Sequence, residues 1–105
     1  MDLSVKERIS LLSILPQQGD IITIRICHDL RMMLALQDSE EEKAGITKKE
    51  LGGGQMTIEV RNDYETELSF SHKQIQLIIE ALEGMDKNKS LTIGHLSLWD
   101  KFCNG

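Results

Sequence analysis

Aromatic residues are scarce, at 4% of the 105 residues, so the core must be aliphatic, built from Ile, Leu, Val and Met. Cysteine is limited to Cys27 and Cys103. Neither stands in a CxxC or other metal-ligand spacing, so free thiols are expected. Positive charge is in deficit: 12 Lys and Arg against 17 Asp and Glu leave a net charge of −5. That balance weighs against nonspecific binding to a polyanion, which needs a basic surface. No apolar run approaches the ~20 residues that span a bilayer. The opening MDLSVKERIS has an acid at its second position and lacks the apolar core of a signal peptide. These absences point to a cytoplasmic protein with no membrane segment. Hydrophobic residues, at 40%, still suffice for one modest core, and the length suits one domain over residues 1–105.

The clearest element is the stretch 71–85, SHKQIQLIIEALEGM. Ser71 and Gln74 have capping-box spacing, and Phe70 and Ile75 sit where a hydrophobic staple forms. Ile75, Ile78, Ile79 and Leu82 follow the spacing of one apolar helical stripe. Gly84 is placed to end the helix. Residues 4–15 read as a first helix, with Ser4 and Glu7 as capping box and Val5, Ile9 and Leu12 as its stripe. Pro16 stops it, because the residue before a proline is driven out of the helical region. Asp20 is a good cap for a second element. Residues 21–26 are β-branched and alternate like a strand. However, Ile22, Ile26, Leu30, Met33 and Leu34 share a helical face, so one helix over 21–37 is expected, with Met32 and Met33 as core fillers.

Residues 40–44 are expected to form a short acidic helix capped by Ser39 and Glu42 and ended by Gly45. No element is assigned to residues 46–51. Gly52, Gly53 and Gly54 read as a flexible link, since no phosphate-loop context surrounds them. Residues 55–70 read as a β-hairpin: Met56, Ile58 and Val60 alternate with polar residues, Tyr64, Leu68 and Phe70 share a face, and Asn62-Asp63 makes the turn. Thr92 caps a last helix over 93–103 whose side His95, Leu98, Trp99 and Phe102 docks on the core. The fold class is therefore α+β: a mainly helical single domain of four to five helices with one β-hairpin.

Chemistry-bearing patterns are few. His28, His72 and His95 lie in three separate elements without HxxxH or HExxH spacing, so no metal site is expected. Cys27 and His28, as helix neighbours, point about 100° apart and do not form a nucleophile–base pair. The carboxylate pairs Asp63/Glu65 and Glu80/Glu83 fall in a turn and on an exposed helix face, not in a desolvated acid–base arrangement. No catalytic residue, cofactor-binding residue or cofactor is assigned, and an enzyme is not expected. Helices followed by a short helix and a hairpin follow the element order of winged-helix domains, with the reading element in 40–51 and the wing tip at Asn62-Asp63. The acids there leave few phosphate contacts, so a winged-helix-like DNA-binding regulator is the alternative reading. The preferred one is a non-catalytic interaction or regulatory protein that binds a protein partner or a second copy of itself. Glu40, Glu41, Glu42 and Trp99 are its candidate partner-binding residues, with the acids suited to a basic partner surface.

The stretch SVKERISLLSILPQQGDIITIRICHDLR and the ending LTIGHLSLWDKF, with Leu91, Thr92, His95, Ser97, Lys101 and Phe102, resemble small phage and prophage proteins. Gly52 to Gly54 mark where this chain departs from their pattern. The resemblance carries no catalytic or binding residue. It implies a phage or mobile-element origin, and so a partner in host machinery or host defence.

Overall fold

The computed structural model describes residues 1–53 and 55–103. Along them run β1 (Asp2–Ser4), α1 (Val5–Ile14), α2 (Ile21–Leu34), α3 (Asp38–Ala44) and β2 (Ile46–Gly52). Then come β3 (Gln55–Val60), β4 (Glu65–Glu67), α4 (His72–Lys87), a 3₁₀ turn (Ile93–His95) and α5 (Leu96–Phe102). Five helices and two small antiparallel sheets make the fold α+β.

The helix starts reflect local chemistry. Ser4 Oγ accepts the Glu7 N–H at 3.1 Å while Glu7 Oε1 accepts the Ser4 N–H at 2.9 Å. Ser71 and Gln74 repeat the pattern in α4. Asp20 Oδ1 accepts the Thr23 N–H at 2.8 Å and starts α2, which settles residues 21–26 as helix. Leu15, before Pro16, is extended at ψ 138°, as the proline requires. The α3 cap differs from expectation. Glu40, not Glu42, turns back to take the Gln37 N–H, so the helix begins at Asp38. Gly45 ends it at φ +63°, and a Cβ there would lie 3.0 Å from the Cβ of Arg61. Both the left-handed backbone and the close approach demand glycine. By contrast, Gly84 does not end α4. The helix runs to Lys87 and closes with Lys89 at φ +56°, Lys89 N–H donating to Asp86 O and Ser90 N–H to Met85 O. That is a Schellman closure with lysine in the glycine position.

The core is aliphatic, as the composition implies. Leu3, Leu11, Leu30, Leu34, Ile78, Leu82 and Leu98 are fully buried, and Phe102 meets Phe70 edge-on at 5.6 Å. The packed helix pairs are α1–α2, α2–α4, α4–α5 and α1–α5. Two expected faces are rotated. In α1 the buried line is Val5, Arg8 and Leu11, while Ile9 and Leu12 are half-buried. In α2, Cys27, Leu30 and Leu34 are buried, whereas Ile22 and Met32 are exposed, so Met32 is not a core filler.

Arg8 explains the first rotation and the early end of α2. Only 2% exposed, it donates from Nε to Leu34 O at 3.2 Å and from Nη2 to Ala35 O at 3.1 Å. Its Nη1 pairs with Glu40 Oε2 at 2.8 Å. One guanidinium thus satisfies carbonyls left open at the end of α2 and joins that end to the first turn of α3.

The strands correct the expected hairpin. β3 does not pair with the 64–70 segment. It pairs antiparallel with β2, Ile46 opposite Val60 and Lys48 opposite Ile58, and the chain turns at Gly52 and Gly53, both at positive φ. Gly54 lies outside the described residues, as does the side chain of Met56. Asn62-Asp63 is not a hairpin turn: the chain bends at Arg61 and Asn62 between the two sheets, and β4 pairs with β1, Leu3 opposite Thr66.

Replacing Arg8 by Met leaves the Glu40 carboxylate and two carbonyls without their donor. Arg8→Met is expected to lower the unfolding free energy by about 2–4 kcal/mol in urea titrations. Lys89→Gly relieves a left-handed lysine and is expected to raise stability by about 0.5–1 kcal/mol, read as a higher melting temperature.

Candidate functional site

An open groove of about 770 Å³ lies between α1, β3 and the 3₁₀ turn with α5. Ile9 and Ser10 of α1 form one wall, Ile58 and Val60 of β3 a second, and Ile93, Gly94 and Leu96 a third. Three large apolar side chains around it remain in water: Ile93 is 92% exposed, Leu96 59% and Ile58 44%. Single exposed apolar residues are ordinary, whereas here three of them gather around one concavity. Ile93 and Leu96 also line a smaller cleft of about 460 Å³ with Leu91, His95 and Trp99. They therefore form a ridge between the groove and the only tryptophan in the chain.

The floor of the groove is charged. Lys101 Nζ donates to Glu7 Oε1 at 2.7 Å, to the Asp2 carbonyl at 2.7 Å and to Glu65 Oε2 at 3.4 Å. Glu7 is 8% exposed, and its Oε2 makes no hydrogen bond of ordinary geometry. Burial pushes the Glu7 carboxyl up. The Lys101 ammonium, the Ser4 N–H and the Ser97 hydroxyl beside it outweigh that, and hold it below its usual value. Burial likewise opposes the charge on Lys101, and the two carboxylates more than offset it, so its ammonium is held above the usual range. The network ties α5 to β1, α1 and β4, and so fixes the third wall against the first.

The residues singled out from sequence fall elsewhere. Glu40 is turned inward onto Arg8, whose guanidinium, with the Gln37 N–H, holds its carboxyl below the usual range. Glu41 is half-buried and Glu42 exposed on α3. Trp99 is half-buried against the core cluster. The α3 acids and Trp99 lie on different helices, and α3–α5 is not among the main packed pairs of the described residues. Sequence reasoning did not single out Ile58, Ile93 or Leu96 as binding residues. A signal was present: Ile93 and Leu96 fall off the Leu98–Phe102 stripe that docks α5.

Other reactive groups have local roles. His95 Nδ1 accepts the Thr92 N–H at 3.0 Å and closes the 3₁₀ turn. Cys27 is buried and its thiol is pushed up by desolvation, away from the thiolate form, while its neighbour His28 is exposed. Among the described residues no three of His, Cys, Asp and Glu converge as a metal site, and no helix is long and apolar enough to cross a membrane.

The Glu7–Lys101 pair predicts a two-sided pH profile. The Glu7 contribution is present above its ordinary value of 4.5 and is lost as pH falls through the lowered one. The Lys101 contribution is present below 10.5 and is lost as pH rises through the raised one. The urea midpoint should fall on both sides, on the alkaline side already from about pH 9.0, because burial keeps the Cys27 and Cys103 thiols protonated in the folded chain above that value. In a Glu7→Gln, Lys101→Met double variant the alkaline limb should shrink to the part due to these thiols, and the acid limb to the part due to Asp20 and Glu40, whose carboxyls are lowered.

No protein-family model matches the chain, and no curated protein or solved structure is significantly similar to it.

Proposed function

We propose that this chain is a small non-catalytic interaction or regulatory protein that docks a protein partner on the groove between α1, β3 and α5. The observation that carries this reading is the Ile58–Ile93–Leu96 cluster: three large apolar side chains held in water around one concavity. Releasing that water on docking supplies a favourable free energy that an isolated exposed side chain does not. The charged floor adds orientation, because a mismatched partner would leave buried charge unpaired. The resemblance to phage and prophage proteins supports a partner in the host cell cytoplasm, in its machinery or its defence. It also supports a phage origin for the chain.

A winged-helix-like DNA-binding regulator is the second reading. The order α1, α2, α3 and then the β2–β3 hairpin favours it. The charge of the reading position disfavours it: α3 carries Asp38, Glu40, Glu41 and Glu42 against Lys43. Titration with duplex DNA at two salt concentrations separates the two. A tight, salt-sensitive complex would move the assignment to DNA.

The docking reading is tested with a photo-crosslinking amino acid placed at Ile93 and, separately, at Ile22 on the remote end of α2. In host lysate the Ile93 probe should yield one discrete adduct and the Ile22 probe none. Excess unlabelled protein should compete the adduct away, and excess Leu96→Asp protein should not. Equal labelling from both positions, or no adduct from Ile93, would rule the reading out.

A further inference from the structure

The groove also runs beside a free strand edge. Among the described residues β3 pairs with β2 alone. Alternate N–H and C=O groups on its other side therefore have no strand partner. Ile58 and Val60 of β3 line the groove, and β3 is the strand of the hairpin whose outer edge has no partner among the described residues. Strand alternation puts Ile58 and Val60 on one face and Thr57 and Glu59 on the other. The edge thus combines unpaired backbone with a row of apolar contacts, the two elements of recognition by strand addition.

Charge and area narrow the occupant. Glu7, Asp63 and Asp100 line the groove against Lys6 and Lys101. Lys101 is held by both Glu7 and Glu65, so it offers no open site for an anion. A second copy of the chain brings a net charge of −5 to a surface that is already acidic. Three exposed side chains also supply only a few hundred Å² of apolar surface. That is short of the roughly 800 Å² per partner of a standard stable interface.

We propose that the groove takes an extended segment of a protein partner, which adds to the outer edge of β3 as a third strand. Its apolar side chains, at alternate positions, rest on Ile58, Ile93 and Leu96, and a Lys or Arg of the segment faces Asp63. This rests on the docking reading of the same groove and specifies the form and charge of what docks there.

The probes are short fluorescein-labelled peptides that alternate Val or Ile with Thr or Lys. Controls are a scrambled peptide of the same composition and one with Glu in place of Lys. Two further peptides are N-methylated on the amides of one edge or of the other. The lysine peptide should bind saturably, more weakly as salt is raised, and should change Trp99 fluorescence. Methylation of one edge should abolish binding and methylation of the other should leave it. Ile58→Lys and Leu96→Asp should each weaken binding about tenfold or more, with melting temperature and circular dichroism unchanged because both side chains are exposed. Failure of the lysine peptide to bind, equal binding of the scramble, or indifference to methylation of either edge overturns the proposal. So does a dimer in light scattering that Ile58→Lys dissociates. If the Ile93 crosslink persists while the peptides fail, strand addition alone is wrong; if both fail, the docking reading falls with it.

Discussion

A single buried guanidinium holds the arrangement together. Arg8 sits in the middle of the packed face of α1, where an aliphatic side chain would be expected, and is stable there because its donors are taken up. It closes the end of α2 through two carbonyls and fixes the start of α3 through Glu40. Consequences run outward from there. Lys43 of α3 lies over the Tyr64 ring, and the chain returning from the hairpin rests on the end of α3, with Asn62 N–H donating to Ala44 O and Arg61 N–H to Gly45 O. The hairpin that carries Ile58 to the groove is therefore placed by α3, and α3 by Arg8. A buried ion pair of this kind adds little net stability against an apolar pair, but it is costly to break by halves, which makes it a locator of elements.

The second polar network does the same work from the neighbouring residue of α1, Glu7. Lys101 on α5 reaches Glu7, Glu65 and the Asp2 carbonyl. Those partners belong to α1, β4 and β1, so one ammonium closes the two ends of the described chain on each other. Because Lys101 is held between Glu7 and Glu65, the concavity between α1, β3 and α5 is not a basic anion trap: three acids line it against two lysines, beneath an apolar ridge.

The side chains with chemical capacity are largely engaged in holding structure. Glu40 answers Arg8, Glu7 answers Lys101, and His95 takes the Thr92 N–H. Cys27 is packed in the core. Exposed apolar surface at Ile58, Ile93 and Leu96 and the outer edge of β3 are open to a partner, and both suit binding.

The starts of α1, α2 and α4 were legible in the sequence because they are made by residues three apart, whereas α3 starts two residues earlier than read, on Glu40 rather than Glu42. The Ser4–Glu7 and Ser71–Gln74 boxes, the Asp20 cap and the break before Pro16 need nothing from the rest of the chain. An aliphatic core and an α+β class came from composition and periodicity. Strand pairing was not legible. Residues 55–60 and 65–67 carry the alternation of strands, but alternation does not say which strand lies opposite, and each took a partner from earlier in the chain. Nor could Arg8 or Glu40 be read as internal, since a charged residue on a helix is buried only when distant donors and acceptors converge on it. The groove was hidden for the same reason: Ile58, Ile93 and Leu96 come from separate segments, and only tertiary packing gathers them around one opening.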